Sequence, residues 1–265
     1  QELYDINQNG EWTWDEFRDV AAYVTDPDLG IYGALYTTDV VMPYAFMAAN
    51  GTDPLSKEEQ PDGTTADVYA GNDVRVVETY NFLAGMFKDK LINVGGDSEF
   101  NTGRYAMTVT YMCRSTVYAP ENEGLSRLGI LMPPKGPAAE DYSSMVNWYV
   151  PSGVFKDIAN KAGAVQIMCE YLRPAYAIGS EEDRALFEAE AMTYASDEDS
   201  MWTLNNLADK TMGYKIWNYS DTVTGAFSNM EVIEGILDGS TTAQRHFDSV
   251  AEAVNQALKR EQGLK

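Results

Sequence analysis

The 265-residue chain carries 19 Lys and Arg against 41 Asp and Glu, a formal net charge of −22. That balance argues against a domain that tracks nucleic-acid phosphates, which needs a basic stripe, and against attraction to an anionic membrane surface. Hydrophobic residues at 45% and aromatics at 12% exclude an acidic disordered chain and predict a packed core, as one large α/β unit or two lobes, since single cores stop growing near ~250–300 residues.

The first predicted helix follows Thr13, which can cap it, with Glu16 three residues on to complete a capping box and Trp12 and Phe17 at the hydrophobic-staple positions. Its apolar set, Trp14, Phe17, Val20, Ala21 and Val24, runs at helical spacing until Asp26-Pro27 breaks it. Residues 31–51 are apolar and aromatic with Pro43 inside, and read as a short strand followed by a short helix. Residues 52–72, rich in Gly, Pro and Asp, read as a surface loop. A helix capped at Asn72 or Asp73 carries Val76, Val77, Tyr80, Leu83, Ala84 and Phe87 on one face.

Phe100 to Met107 leads into the β-rich run Thr108 to Tyr111, and Ile130-Leu131-Met132 reads as a short buried strand closed by Pro133-Pro134. Val146 to Val150 is a strand signal, followed by a helix with Val165, Met168, Cys169 and Leu172 on one face and an acidic helical stretch from Ser180 to Tyr194. Phe227, Met230, Ile233, Ile236 and Leu237 predict the penultimate helix. Phe247, Val250, Val254 and Leu258 predict the last, with Lys259 and Arg260 suited to its C-terminus. Strands interspersed with helices give an α/β class.

Val40 to Ala49, the longest apolar run, contains Pro43 and falls short of the ~20 residues that span a bilayer, so no transmembrane segment is predicted. The chain starts at Gln1 without a basic-then-apolar leader, which reads as a mature or excised segment. Cys113 and Cys169 form no C-x-x-C pair, which argues against zinc and thioredoxin-like chemistry. A disulfide between them and a buried free Cys169 both remain open.

Catalytic motifs are missing: there is no G-x-S-x-G, G-x-G-x-x-G, Walker A or H-E-x-x-H, and His246, the single histidine, reads as a helix-surface residue. The prediction is a non-enzyme. Asn50-Gly51-Thr52 and Asn218-Tyr219-Ser220 fit the glycosylation sequon. Asp5, Asn7, Asn9, Gly10 and Glu16 fit the EF-hand loop pattern. Against a calcium site stand the four residues before Asp5, too few for an entering helix, and the competing use of Glu16 in the helix cap. The expected cofactor is none, with calcium at this loop as the alternative.

The order of phrases along the chain resembles the extracellular sugar-binding proteins of bacterial ABC importers, the family typified by maltose-binding protein. Asn9-Gly10-Glu11-Trp12-Thr13-Trp14-Asp15-Glu16-Phe17 resembles the family's "TWdEf" helix, and Tyr32-Gly33-Ala34 its "yGf" strand. Phe100 to Met107 resembles "F..GkaAM", Leu128 to Pro133 resembles "lgv.plP", and Asp238-Gly239-Ser240-Thr241 resembles the segment before the final helix. The resemblance implies a bilobal α/β fold of the periplasmic-binding-protein type II, with 1–148 and 213–265 forming the C-terminal lobe and 149–212 a remnant of the other. Almost nothing precedes the "TWdEf" phrase, where the family carries most of its N-terminal lobe, so the expectation is a C-terminal fragment.

That resemblance also implies a function: capture of a sugar or oligosaccharide in an inter-lobe cleft and delivery to the importer's membrane subunits. The location implied is extracytoplasmic, in a periplasm or lipid-anchored at the outer cell surface. Sugar sites stack aromatic rings on C–H faces and bind hydroxyls with planar polar groups. By resemblance, the cleft wall would draw on Tyr36, Asp39, Tyr44, Tyr111, Arg114, Trp148, Tyr149, Trp217 and Tyr219. Tyr44 and Tyr111 serve equally well as core residues, and Arg114 as half of a structural ion pair. Trp14 reads as core, and Trp202 as an anchor for the N-lobe remnant. The acidic excess disfavours strongly anionic solutes. Two alternatives stay open: a calcium-binding module on residues 5–16, and a carbohydrate-active hydrolase with two essential carboxylates.

Overall fold

The computed structural model describes residues 2–37, 41–111, 128–146, 158–167, 181–192, 195, 197–213 and 216–264. Its elements begin with α1 (Glu2–Gln8) and α2 (Trp14–Val24). At the start of α2 the Thr13 hydroxyl accepts the Glu16 N–H at 3.3 Å, and the Trp12 ring meets Phe17 edge-on at 6.0 Å, the cap and the staple that the sequence predicts. The buried stripe of α2 then packs on two later helices: Trp14 stacks on Phe82 at 4.7 Å and Phe17 meets Phe46 at 5.4 Å.

Strand β1 (Tyr32–Thr37) is the centre of a parallel sheet of order β4-β1-β5, with β4 at Ile92–Gly95 and β5 at Tyr105–Thr108. Ala34 lies opposite both Ile92 and Met107. A central parallel strand is covered on both faces, which explains the unbroken apolar run from Gly33 to Tyr36. Helix α2 is fastened to this strand by Thr25, whose hydroxyl donates to the Ala21 carbonyl and accepts the Gly33 N–H at 2.9 Å. A Cβ on Gly33 would stand 2.3 Å from the Ala21 Cβ, so the close approach of helix and strand needs glycine there.

Helix α3 (Val41–Ala49) is buried along its whole length. The expected loop over 52–72 is instead a hairpin, with β2 (Leu55–Glu59) and β3 (Thr65–Tyr69) antiparallel and Leu55 opposite Tyr69. Only Leu55 and Ala66 are buried in the two strands, so their composition is that of a solvated surface. The hairpin is held from outside by α9 (Ala243–Glu261) and its C-cap Gln262: Asn255 and Gln262 accept the Tyr69 and Asp67 N–H groups.

Helix α4 (Val74–Lys88) starts at Asp73, whose carboxylate accepts the Arg75 N–H and pairs with its guanidinium. Its buried face meets α9 and the next helices through Tyr80, Phe227 and Phe247. The penultimate helix splits into α7 (Asp221–Ser228) and α8 (Met230–Leu237), because Asn229 ends the first and caps the second.

The segment 128–134 is not the strand expected. Its backbone is met by side chains: Ile130 N–H donates to Ser200 and Met132 N–H to Asn7. Strand β6 (Ser144–Val146) pairs in parallel with β7 (Thr211–Gly213), and the remainder of the expected strand 146–150 lies outside the described residues. Of the helix expected around Val165, 161–167 is helical, with Val165 44% exposed; Met168, Cys169 and Leu172, like Cys113, lie outside the described residues. The acidic stretch forms α5 (Glu181–Ala191), followed by α6 (Glu198–Asp209).

Gly33→Ala should lower the unfolding free energy by about 1–3 kcal/mol, the usual cost of overpacking. Gly85→Ala, where a Cβ meets nothing, should raise it by roughly 0.5–1 kcal/mol; urea denaturation of both variants checks the pair. Asp73→Ala should cost about 1 kcal/mol as a lost N-cap. The Arg75 hydrogen bonds hold the Asp73 carboxyl below the usual carboxylate range. Its contribution should therefore be full at neutral pH and vanish as pH falls through that lowered value, read as convergence of wild-type and variant melting curves in acid.

Candidate ligand-binding face

Three parallel strands end on one edge, at Gly95, Thr37 and Thr108. Ligand sites in open parallel sheets gather outside the carboxyl ends of the strands. From this edge the chain passes from β1 into α3, which carries Tyr44. The Tyr44 ring lies 5.4 Å from that of Trp217 at 59°. Trp217 belongs to a single 3₁₀ turn, Ile216–Asn218, just beyond β7, and is half-buried against the main core. Its indole Nε1 is buried and makes no hydrogen bond to any described residue.

Of the nine predicted wall residues, the structure joins Tyr44 and Trp217. Tyr36 and Tyr44 are fully buried in the main core, so neither ring offers a stacking face here; Tyr44 instead backs Trp217. Tyr219 is committed elsewhere: its hydroxyl donates to the Asp67 carboxylate at 2.6 Å. Burial, and then the acceptor role of Asp67, push that phenol upward, so it remains a donor through the physiological range. Asp39, Arg114, Trp148 and Tyr149 lie outside the described residues.

Tyr111 is half-buried and lines a cavity of about 520 Å³ between β5, the segment 128–134, α1 and α6. Trp12, Phe17, Met107, Leu131 and Leu204 make its walls chiefly apolar. Such walls offer little to the hydroxyls of a sugar, and neither Tyr44 nor Trp217 lines them.

The EF-hand pattern is not built as a loop. Residues 2–8 are helical, and Asn7 is fully buried with both ends of its amide engaged: Nδ2 donates to Thr203 and Oδ1 accepts the Met132 N–H. The Asn7 side chain thus serves Thr203 and the Met132 backbone, whereas the motif would use it as an oxygen ligand. Among the described residues no group of three or more His, Cys, Asp or Glu is arranged to hold a metal. His246 is half-buried rather than a surface residue; its Nε2 lies 2.8 Å from the Ala226 carbonyl and ties α9 to α7. The first sequon is closed, since the Asn50 side chain is fully buried between the Arg75 carbonyl and the Ala138 N–H.

Residues that the sequence does not single out are Asp67, Glu261 and Gln262. They sit on a polar strand and at a helix end, with no local pattern to mark them, and gain their roles only when segments 41 to 195 residues apart meet.

No protein-family model matches the sequence, and no curated protein matches it. Solved structures do match in fold. The chain aligns over 97% of its length with an ABC substrate-binding protein of Listeria monocytogenes solved in complex with cycloalternan, at TM-score 0.63 and 15% identity, covering 65% of that chain. Maltose-bound MalE3 of T. maritima aligns over 92% at TM-score 0.64 and 14% identity, with 64% of it covered. UgpB of Mycobacterium tuberculosis, in complex with glycerophosphocholine, aligns over 95% at TM-score 0.62 and 14% identity, again with 64% covered. The fold is thus the α/β fold of the substrate-binding proteins of ABC transporters, of which this chain spans about 65% of the length of the structures it matches.

Replacing Asn7 by Ala leaves the Met132 N–H and the Thr203 hydroxyl without their partner. Unfolding stability should fall by about 1–3 kcal/mol. The loss should be equal in calcium and in EDTA, as measured by paired urea titrations.

Proposed function

We propose that this chain belongs to the substrate-binding component of an ABC importer and serves to capture a neutral sugar or oligosaccharide without chemical change. The observation that carries the reading is the aromatic pair Tyr44–Trp217, with Tyr44 on the helix that follows the central strand of a parallel sheet, in a fold shared with proteins solved with cycloalternan and maltose. An indole supplies a flat apolar face for sugar C–H groups. On this reading Asp39, Arg114, Trp148 and Tyr149, chosen from the sequence alone, complete the wall. Residues 1–148 with 213–265 form one lobe and 149–212 part of the other. The charge of −22 favours uncharged solutes over phosphorylated ones. Delivery to a membrane permease from an extracytoplasmic position, free or lipid-anchored, completes the proposal.

Thermal unfolding against maltose, longer and cyclic maltooligosaccharides, and glycerophosphocholine, in EDTA and in calcium, tests it. The panel is applied to this chain and to a longer form carrying the preceding lobe. A sugar at a hundred times its Kd stabilises by about 2.7 kcal/mol, so a saturable rise in Tm with a neutral sugar is expected in the longer form, unchanged by EDTA and without sugar cleavage. Stabilisation by calcium alone would move the assignment to a calcium module. Glycan hydrolysis would move it to an enzyme, and silence across the panel to a solute of another class.

A further inference from the structure

Trp217 holds its place without a hydrogen bond of its own, because its Nε1 makes none to any described residue. The ring is oriented by what precedes and follows it. On one side Ile216 is fully buried in the core. On the other, the Tyr219 N–H closes the turn on the Ile216 carbonyl at 3.2 Å, and the next two residues are gripped by distant segments. The Tyr219 hydroxyl donates to Asp67 on β3 at 2.6 Å. Ser220 donates its N–H to one oxygen of Glu261 at 2.9 Å and its hydroxyl to the other.

The two anchors are themselves joined. Gln262, next to Glu261, accepts the Asp67 N–H at 2.8 Å and returns its own amide to the Asp67 carbonyl at 2.8 Å. The end of α9, the strand β3 and the segment 219–220 thus form one closed polar brace. Its members are charge-assisted where they touch 219–220, and such bonds are the stronger and more directional kind. A brace of this kind costs ordering entropy at several side chains, and it fastens the short turn that presents Trp217 beside Tyr44.

We propose that Tyr219 and Asp67 are positioning residues for Trp217, holding the indole at the orientation in which it forms the ligand wall, so that Tyr219 acts through Trp217 rather than touching the solute. This rests on the reading of Trp217 as part of that wall. A ligand platform must be pre-set to avoid an ordering cost on binding. Loss of one bond in the brace should therefore appear in Trp217 before it appears in the fold.

The test labels the chain with 5-fluorotryptophan, which reports each of its five tryptophans as a separate fluorine resonance; Trp217→Phe assigns the one in question. Tyr219→Phe and Asp67→Ala should shift or broaden the Trp217 resonance while leaving those of Trp12 and Trp14 in place, and Asp67→Asn, which keeps an acceptor for the phenol, should restore it. Asn255→Ala is the control. It removes a different bond between α9 and the hairpin, and should lower Tm without moving Trp217. An unmoved Trp217 resonance in Tyr219→Phe overturns the proposal.

In the longer form, Tyr219→Phe should weaken sugar affinity roughly fivefold, the equivalent of one hydrogen bond, with Trp217→Phe costing more. If Trp217 moves but neither variant alters affinity, the assignment of Trp217 to the ligand wall fails and the positioning role falls with it. If only Trp217→Phe weakens binding, the wall stands and the positioning role is refuted.

Discussion

The seating of α2 on the central strand turns on the meeting of Gly33 with Ala21. That contact lets α2 lie directly on the central strand, with the Thr25 hydroxyl bridging their backbones. Strand β1 then has neighbours on both edges, β4 and β5, and its side chains are covered on both faces. A helix held a methyl group further away would open the layer that Trp14, Phe17, Phe46 and Phe82 fill. Interiors packed to crystal-like density transmit such a displacement rather than absorb it.

Where regular structure gives out, buried side chains take over the backbone's hydrogen bonds. Asn7, Ser200 and Asn50 each receive an N–H from the irregular stretch between 128 and 138. All three are fully buried, and a buried amide left unpaired is costly. These joints explain why a segment with the composition of a strand holds its place without pairing into a sheet. Asn7 takes on this duty with both ends of its amide.

The face beside the carboxyl ends of the strands follows from the same frame. Parallel pairing brings Gly95, Thr37 and Thr108 to one edge, α3 follows β1 and carries Tyr44, and the turn after β7 brings Trp217 to that ring. The acidic surplus is spent partly in structure: Asp67 and Glu261 fasten the turn, Asp73 caps α4 and Asp141 pairs with Lys210. Carboxylates that would look interchangeable among 41 acids acquire distinct roles from position alone.

Local chemistry by itself determined much of this protein. The Thr13 cap with its Trp12–Phe17 staple, the apolar run of β1, the stripes of α4 and α9 and the α/β class are all legible, because each depends on residues within a turn or two of one another. The order of short phrases pointed to the fold that solved structures share, although identity to those structures is only about 15%. Tertiary structure alone decided the rest. The hairpin 55–69 looked like a loop because its stability comes from α9, and 128–134 looked like a strand because its partners are side chains of α1 and α6. Tyr44 suited core and cleft equally from its sequence and is buried, as is Tyr36, while the Tyr219 hydroxyl is turned to the Asp67 carboxylate. A sequence records what a residue can bond; which partner reaches it across almost 200 positions is settled only when the chain has closed on itself.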